Sequence, residues 1–178
     1  MPPLKSERGT LRLGQSTWFN KLLHSLFPPD TEFTVVLEYP KPTPPQSCGP
    51  ISFLEVFIGT RPVFILELNA RADLMYESLR QAADEVIRAR LGGLASRCPI
   101  PTVHAVSAMG TRLRFYHLDT TDVAGEIAPL SIPRHPTRVT ETAPKERWDC
   151  DVLDADGEAR LRAVVDAIKE ACENVADA

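Results

Sequence analysis

The stretch ISFLEVFIGTRPVFILELN, residues 51–69, constrains this chain more than any other. Two apolar runs rich in β-branched and aromatic residues flank Gly59–Thr60, so they are expected to pair as neighbouring strands rather than coil as a helix. The second run holds Val63, Phe64, Ile65, Leu66 and Leu68, yet it also carries Glu67 and, two residues on, Asn69. A carboxylate placed so deep in an apolar strand loses its hydration. It is retained where a partner or a ligand compensates.

What faces Glu67 depends on the length of the turn, because a one-residue register shift reverses the faces of a strand. A two-residue turn at Gly59–Thr60 pairs Ile58 with Arg61 and sets Ser52 opposite Glu67. A four-residue turn, Gly59 to Pro62, sets Ser52 opposite Asn69 on that same face. Both gather Ser52, Glu67 and Asn69. A three-residue turn, Thr60 to Pro62, instead sets Glu55 opposite Glu67 as a pair of carboxylates. Pro62 has no N–H for a ladder, which favours the even-length turns.

The rest of the chain can be organised around this hairpin. With 178 residues, 43% hydrophobic and 25% charged, it is large enough for one globular domain with its own core. Residues 1–15 read as a polar lead-in. The domain spans 16–178, with Ser16 capping an amphipathic helix that Pro28 and Pro29 end, and a period-2 strand over EFTVVLEYP. The proline-rich PKPTPPQSCGP is a spacer. A helix follows over 74–91, with Leu79, Ala82, Ala83, Val86, Ile87 and Leu91 on one side and Gly92–Gly93 as its stop. It joins the strand at 62–69 to PTVHAVSAMG, and a crossover of that kind makes the two strands parallel. TRLRFYHLD returns as a hairpin partner across Met109–Gly110. A connector over 120–147, the segment RWDCDVL and a helix over 156–175 complete the chain. The expected class is α/β, a single domain with a mixed central sheet of about five strands flanked by helices.

The net charge of −4 gives no global pull toward nucleic acid. A local basic face could still form from Arg80, Arg88, Arg90, Arg97, Arg112 and Arg114. The four cysteines lack CxxC spacing, so they point neither to zinc nor to a disulfide framework. The histidines show no HxxH or HxH pair, and His104 reads as a core histidine. Ser107 lacks the G-x-S-x-G frame of a nucleophile. Without an apolar leader or a membrane-length run, a cytoplasmic or nuclear location is expected.

The order helix, three strands, helix, strand, with VFILELN on the third strand, resembles the PD-(D/E)XK nuclease superfamily. That superfamily carries an acidic residue on its second strand and Glu/Asp-x-Lys on its third. More narrowly, RPVFILELN (61–69), AADEVIRAR (82–90), CPIPTVHAVSAMGTRLRFY (98–116) and WDCDVL (148–153) are similar to segments of a set of uncharacterised basidiomycete fungal proteins. The resemblance spans roughly residues 50–170. It implies a restriction-endonuclease-like αβββαβ core plus a C-terminal helix, and hydrolysis of nucleic-acid phosphodiesters assisted by Mg²⁺ or Mn²⁺. In such chemistry a hard cation held by carboxylates activates water and offsets phosphate charge. On this chain Glu67 and Glu55 would hold the metal and Asn69 would position water. Ser52, Arg80 and Gln81 would contact substrate.

Three positions depart from the pattern. Asn69 stands where the family has lysine, Val86 stands where its helix presents glutamine, and the second strand has no aspartate. An amide orients water but brings no positive charge. The departures support a second expectation, a catalytically silent binding or self-association protein, as a homodimer for example, that keeps the fold and needs no cofactor.

Overall fold

A computed structural model describes residues 6–38, 52–122, 125–137 and 139–176. The proline-rich spacer, with Tyr39 and Cys48, lies outside the described residues. In chain order the elements are α1 (Ser6–Leu26), β1 (Phe33–Glu38), β2 (Ser52–Ile58), β3 (Arg61–Asn69), α2 (Glu77–Ala95), β4 (Thr102–Met109), β5 (Arg112–Asp119), β6 (Cys150–Asp151) and α3 (Ala155–Ala176). Short 3₁₀ turns occupy Arg71–Met75 and Lys145–Arg147.

The class is α/β. Among the described residues, a single six-stranded sheet runs in the order β1-β2-β3-β4-β5-β6. β3 and β4 are parallel, as the α2 crossover requires, and every other neighbouring pair is antiparallel. Side chains alternate across the sheet, so each strand supplies two cores. Leu54, Val56, Phe64, Leu66, Leu68, Val106, Ala108 and Leu113 pack with Phe19, Leu23 and Phe27 of α1 and its end, and with Leu161, Val165 and Ile168 of α3. Phe53, Ile65, Val103, Ala105, Tyr116 and Leu118 pack beneath Ile87, Leu91 and Leu94 of α2. Each large apolar side chain fully buried in this way contributes about 1.5–3 kcal/mol.

The hairpin begins as the two-residue turn requires and then departs from it. Gly59 takes a positive φ of 58°, and Ile58 pairs with Arg61. Next, Phe57 pairs with Pro62 but Val56 pairs with Phe64, so Val63 is an extra residue on β3. Proline cannot donate to the ladder, and the strand bulges beside it. The shift carries through the rest of the pair. Phe53, not Ser52, lies opposite Glu67, while Ser52 pairs with Leu68 on the α1/α3 side and Glu55 pairs with Ile65.

Three further boundaries differ from expectation. α1 starts at Ser6, and Ser16 lies buried inside it instead of capping it. Residues 6–15 contain no proline, and a helix nucleated by the packed residues of its second half extends cheaply. α2 runs through Gly92 and Gly93 to Ala95, because burial of Leu91 and Leu94 outweighs a propensity cost of about 1 kcal/mol per glycine. The sheet gains a sixth strand, β6, whose pairing rests on Arg112–Asp151 and Leu113–Cys150. At two residues it has no period to detect.

Candidate functional site

The parallel β3–β4 pair sets Glu67 beside Ser107, and the antiparallel β4–β5 pair sets Ser107 beside Arg114. The three side chains form one polar row on the α2 side of the sheet, with Asn69 two residues beyond Glu67. The row is sealed. Glu67 and Ser107 are both 0% exposed, and Arg114 is 2% exposed. Ser107 Oγ donates to Glu67 Oε2 over 2.6 Å. Burial lifts the Glu67 carboxyl to about 8, an effect to which Asp84's charge adds and which Ser107 and the nearby Asn69 amide only partly offset. Burial thus favours the protonated form of this carboxyl.

α2 lays Asp84 over the row. Asp84 Oδ1 accepts the Tyr116 hydroxyl at 2.8 Å, and Oδ2 accepts Arg88 Nε at 2.9 Å. Arg114 Nη1 also lies 2.8 Å from Oδ1, an ion pair whose N–H direction does not complete a hydrogen bond. The Arg114 guanidinium sits over the rings of Tyr116 and Trp148, 4.7 and 5.2 Å from their centroids. Burial depresses the Arg114 pKa, and it drives the Tyr116 phenol well above its ordinary value, with Asp84 adding to the latter shift.

Irregular chain between β5 and β6 closes the site from outside. Arg80 reaches across to it, with Nε donating to Ala143 O at 2.8 Å and Nη2 paired with Glu141, while Nη1 donates to Leu74 O at 2.8 Å. Arg88 holds the same segment through Ile127 O at 3.1 Å and Pro129 O at 2.6 Å. Leu74, Ala83, Met109, Ala143 and Trp148 form a small apolar cluster over the end of the row.

Of the six residues that the resemblance assigns to an active centre, Glu55, Glu67, Asn69, Ser52, Arg80 and Gln81, only Glu67 and Asn69 lie in this row. Glu55 is buried on the same side of the sheet, but Arg90 Nε holds it at 2.6 Å, and Arg90 also pairs with Glu38. Ser52 lies on the opposite side. Gln81 donates to Glu77 Oε1 one helical turn back, and Arg80 is a clamp on the backbone rather than a ligand for phosphate. Of the suggested basic face, Arg80, Arg88, Arg90 and Arg114 all turn into ion pairs with acidic partners. Sequence reasoning missed Ser107, Arg114, Asp84, Tyr116 and Trp148 as one unit. A clue was the alternation of Arg114 and Tyr116 with apolar neighbours in β5.

These residues do not fit a divalent cation, which takes ionised oxygen ligands. Glu67 is enclosed and held by Ser107, and Glu55 is committed to Arg90. Among the described residues, no three His, Cys, Asp or Glu side chains converge as a metal would need. On the far side of the sheet, a groove of about 260 Å³ lies between α1 and the start of α3, lined by Trp18, Leu22, Leu153 and Leu161 among others. His104 stands apart from the row, its ring 6.2 Å from that of His117, and burial lowers its pKa to about 4. Among the described residues, no helix is long and apolar enough to cross a membrane. Comparison with known protein families, curated proteins and solved structures finds no match.

Proposed function

We propose that this chain is a catalytically silent protein that keeps a PD-(D/E)XK-like order of elements and acts by binding rather than by hydrolysis. The observation that carries this reading is the state of Glu67. It is fully buried and hydrogen-bonded by Ser107, and burial raises its pKa. A hydrolytic carboxylate must reach metal, water and a phosphodiester at once, whereas this one is enclosed with Ser107, Asn69 and Asp84 around it. The replacement of the motif lysine by Asn69 points the same way. Phe53, opposite Glu67, stands where a second acidic ligand would be expected.

A second reading, an active Mg²⁺- or Mn²⁺-dependent nuclease, draws on one observation. Glu67 and Asn69 occupy adjacent same-face positions at the end of β3, where the superfamily motif falls. The two readings part in one experiment. Purified protein and its Glu67→Gln variant are incubated with plasmid and single-stranded DNA in Mg²⁺ or Mn²⁺. The silent reading expects no cleavage by either protein. Metal-dependent cleavage that Glu67→Gln abolishes would overturn it.

A further inference from the structure

The two edges of the sheet are finished differently. At one edge β6 is two residues long, and beyond it His117 of β5 is bridged to Ala128 in the irregular segment. The other edge is β1, and among the described residues no strand pairs with its outer side. β1 is regular. Phe33 to Glu38 pair with Ile58 to Phe53 without a bulge, and FTVVL holds no charge, proline or glycine. Edge strands are ordinarily blunted by just such features, because a straight row of open N–H and C=O groups is a template for another strand.

Both faces of this edge are unfinished as well. On one side Phe33, Val35 and Leu37 are half-buried and pack against the α1/α3 core. On the other, α2 packs mainly against β3, β4 and β5. Thr34 and Val36 stay exposed there, while Glu38 is taken up by Arg90. Which strand fits follows from symmetry and charge. A closed two-fold relating two copies at this edge runs normal to the sheet, pairs the strands antiparallel and keeps both α1 helices on one side. Directly opposite residues then share a face, so the pairing is centred on a residue. Two centres give the longest overlap. Centring on Val35 sets Glu32 of each copy opposite Glu38 of the other, which is repulsive. Centring on Val36 sets Thr34 opposite Glu38, Val35 opposite Leu37 and Val36 opposite itself, and opposes no like charges.

We infer that β1 is a self-association edge, through which two copies of this chain pair antiparallel about Val36 and join their six-stranded sheets into one. The pairing uses no residue of the Glu67 row, so it goes beyond the binding reading and does not depend on it. A second copy is the occupant, because FTVVLE sets its own apolar row against itself and opposes threonine to glutamate. A pair of six-residue strands is small beside the standard interface of about 1,600 Å², and a Kd of about 1–100 µM is expected.

The test sediments the whole chain at about 1 to 500 µM. A monomer–dimer equilibrium is expected. Val36→Lys sets two ammonium groups opposite each other at the centre and should weaken the dimer about tenfold or more. Val36 is exposed, so this variant should melt with the wild type at the dilute end, which shows that it folds. Register is read by cross-linking with copper–phenanthroline in air, with the wild-type chain as background. Val36→Cys brings two thiols to directly opposed positions, their Cα atoms about 4.5–5.5 Å apart and within disulfide reach. Thr34→Cys holds them four residues apart along the pair, about 14 Å, and should stay at background. A chain that is monomeric up to about 500 µM overturns self-association and leaves the edge to an extended segment of another protein. A dimer that Val36→Lys leaves intact, or in which Thr34→Cys cross-links as well as Val36→Cys, overturns this pairing. None of these results touches the silent reading, which falls only to metal-dependent cleavage.

Discussion

Ser107 and Glu67 are direct neighbours across the parallel β3–β4 pair, and the serine hydroxyl lies 2.6 Å from Glu67 Oε2. This contact gives the carboxyl one good partner at zero solvent exposure, which is too little to keep it ionised. A serine on β4 thus completes the environment of an acid on β3 that precedes it by the whole length of the α2 crossover.

The first prediction concerns pH. The native Glu67 carboxyl titrates at about 8 against an ordinary 4.5, so the folded state holds a proton that the unfolded chain has lost between those values. This group's contribution to stability is therefore complete at low pH, declines as pH rises, and stops changing above about 8. Its slope is at most about 1.4 kcal/mol per pH unit. His104, lowered to about 4, gives the opposite slope between about 4 and 6.5, because its unfolded form takes up a proton first. The clean window is pH 6.5–8. There Glu67→Gln should flatten the fall in melting temperature and exceed the wild type at pH 8. An unchanged profile would place the buried proton elsewhere.

The second prediction concerns Asp84, which balances Arg88 and Arg114 and receives the Tyr116 hydroxyl. Asp84→Asn leaves the Arg114 guanidinium buried without its counter-charge and should cost about 3–5 kcal/mol. Tyr116→Phe removes one hydrogen bond, leaves the ion pairs, and should cost about 1–2 kcal/mol. Urea unfolding of both single variants and the double variant gives the coupling, which should be well above zero because the groups share Oδ1.

Arg90 supplies a third test. It pairs with Glu55, which is 1% exposed, from a position that is itself about one-third exposed. Arg90→Met should cost about 2–4 kcal/mol, toward the low end if water enters through the arginine's vacated space. Adding Glu55→Gln should recover part of the loss, since no buried charge then remains. Chemical denaturation of the pair distinguishes this from a merely exposed salt bridge, for which both changes would be within about 1 kcal/mol.

Two turn glycines give a matched comparison. Gly59 and Gly110 both have positive φ, 58° and 64°, but a methyl group at Gly59 would meet open space while one at Gly110 would lie 2.7 Å from Arg71 Cβ. Gly59→Ala should cost about 1 kcal/mol for conformation alone. Gly110→Ala should cost about 1–3 kcal/mol more, from overpacking. Thermal melts of the two variants would show equal losses if the crowding at Arg71 relaxes freely.

Much of the architecture was legible in the sequence for identifiable reasons. The strand runs at 52–58 and 61–69 are continuous enough to exclude helix, and the length between β3 and β4 demands a crossover. Glu67 was also legible, because an acid inside Val63–Leu68 contradicts its surroundings. Its neighbours were not. They depend on the extra residue at Val63, which changes Ser52 for Phe53 opposite Glu67, and no turn length alone predicts that shift. The row also draws on β3, β4, β5 and α2 at once. Ser107, Asp84 and Arg114 each look ordinary in their own segment, and their meeting is a property of strand order rather than local pattern.

The arginines of α2 that fasten the segment around 127–143 have a mechanical consequence. That stretch has little ladder of its own and takes its shape from guanidinium groups on a helix far away in sequence, each seizing a main-chain oxygen. Helix and segment therefore behave as bolt and plate. The grip runs through Ala143 O, Ile127 O and Pro129 O, which lie outside the ladders that join the named strands.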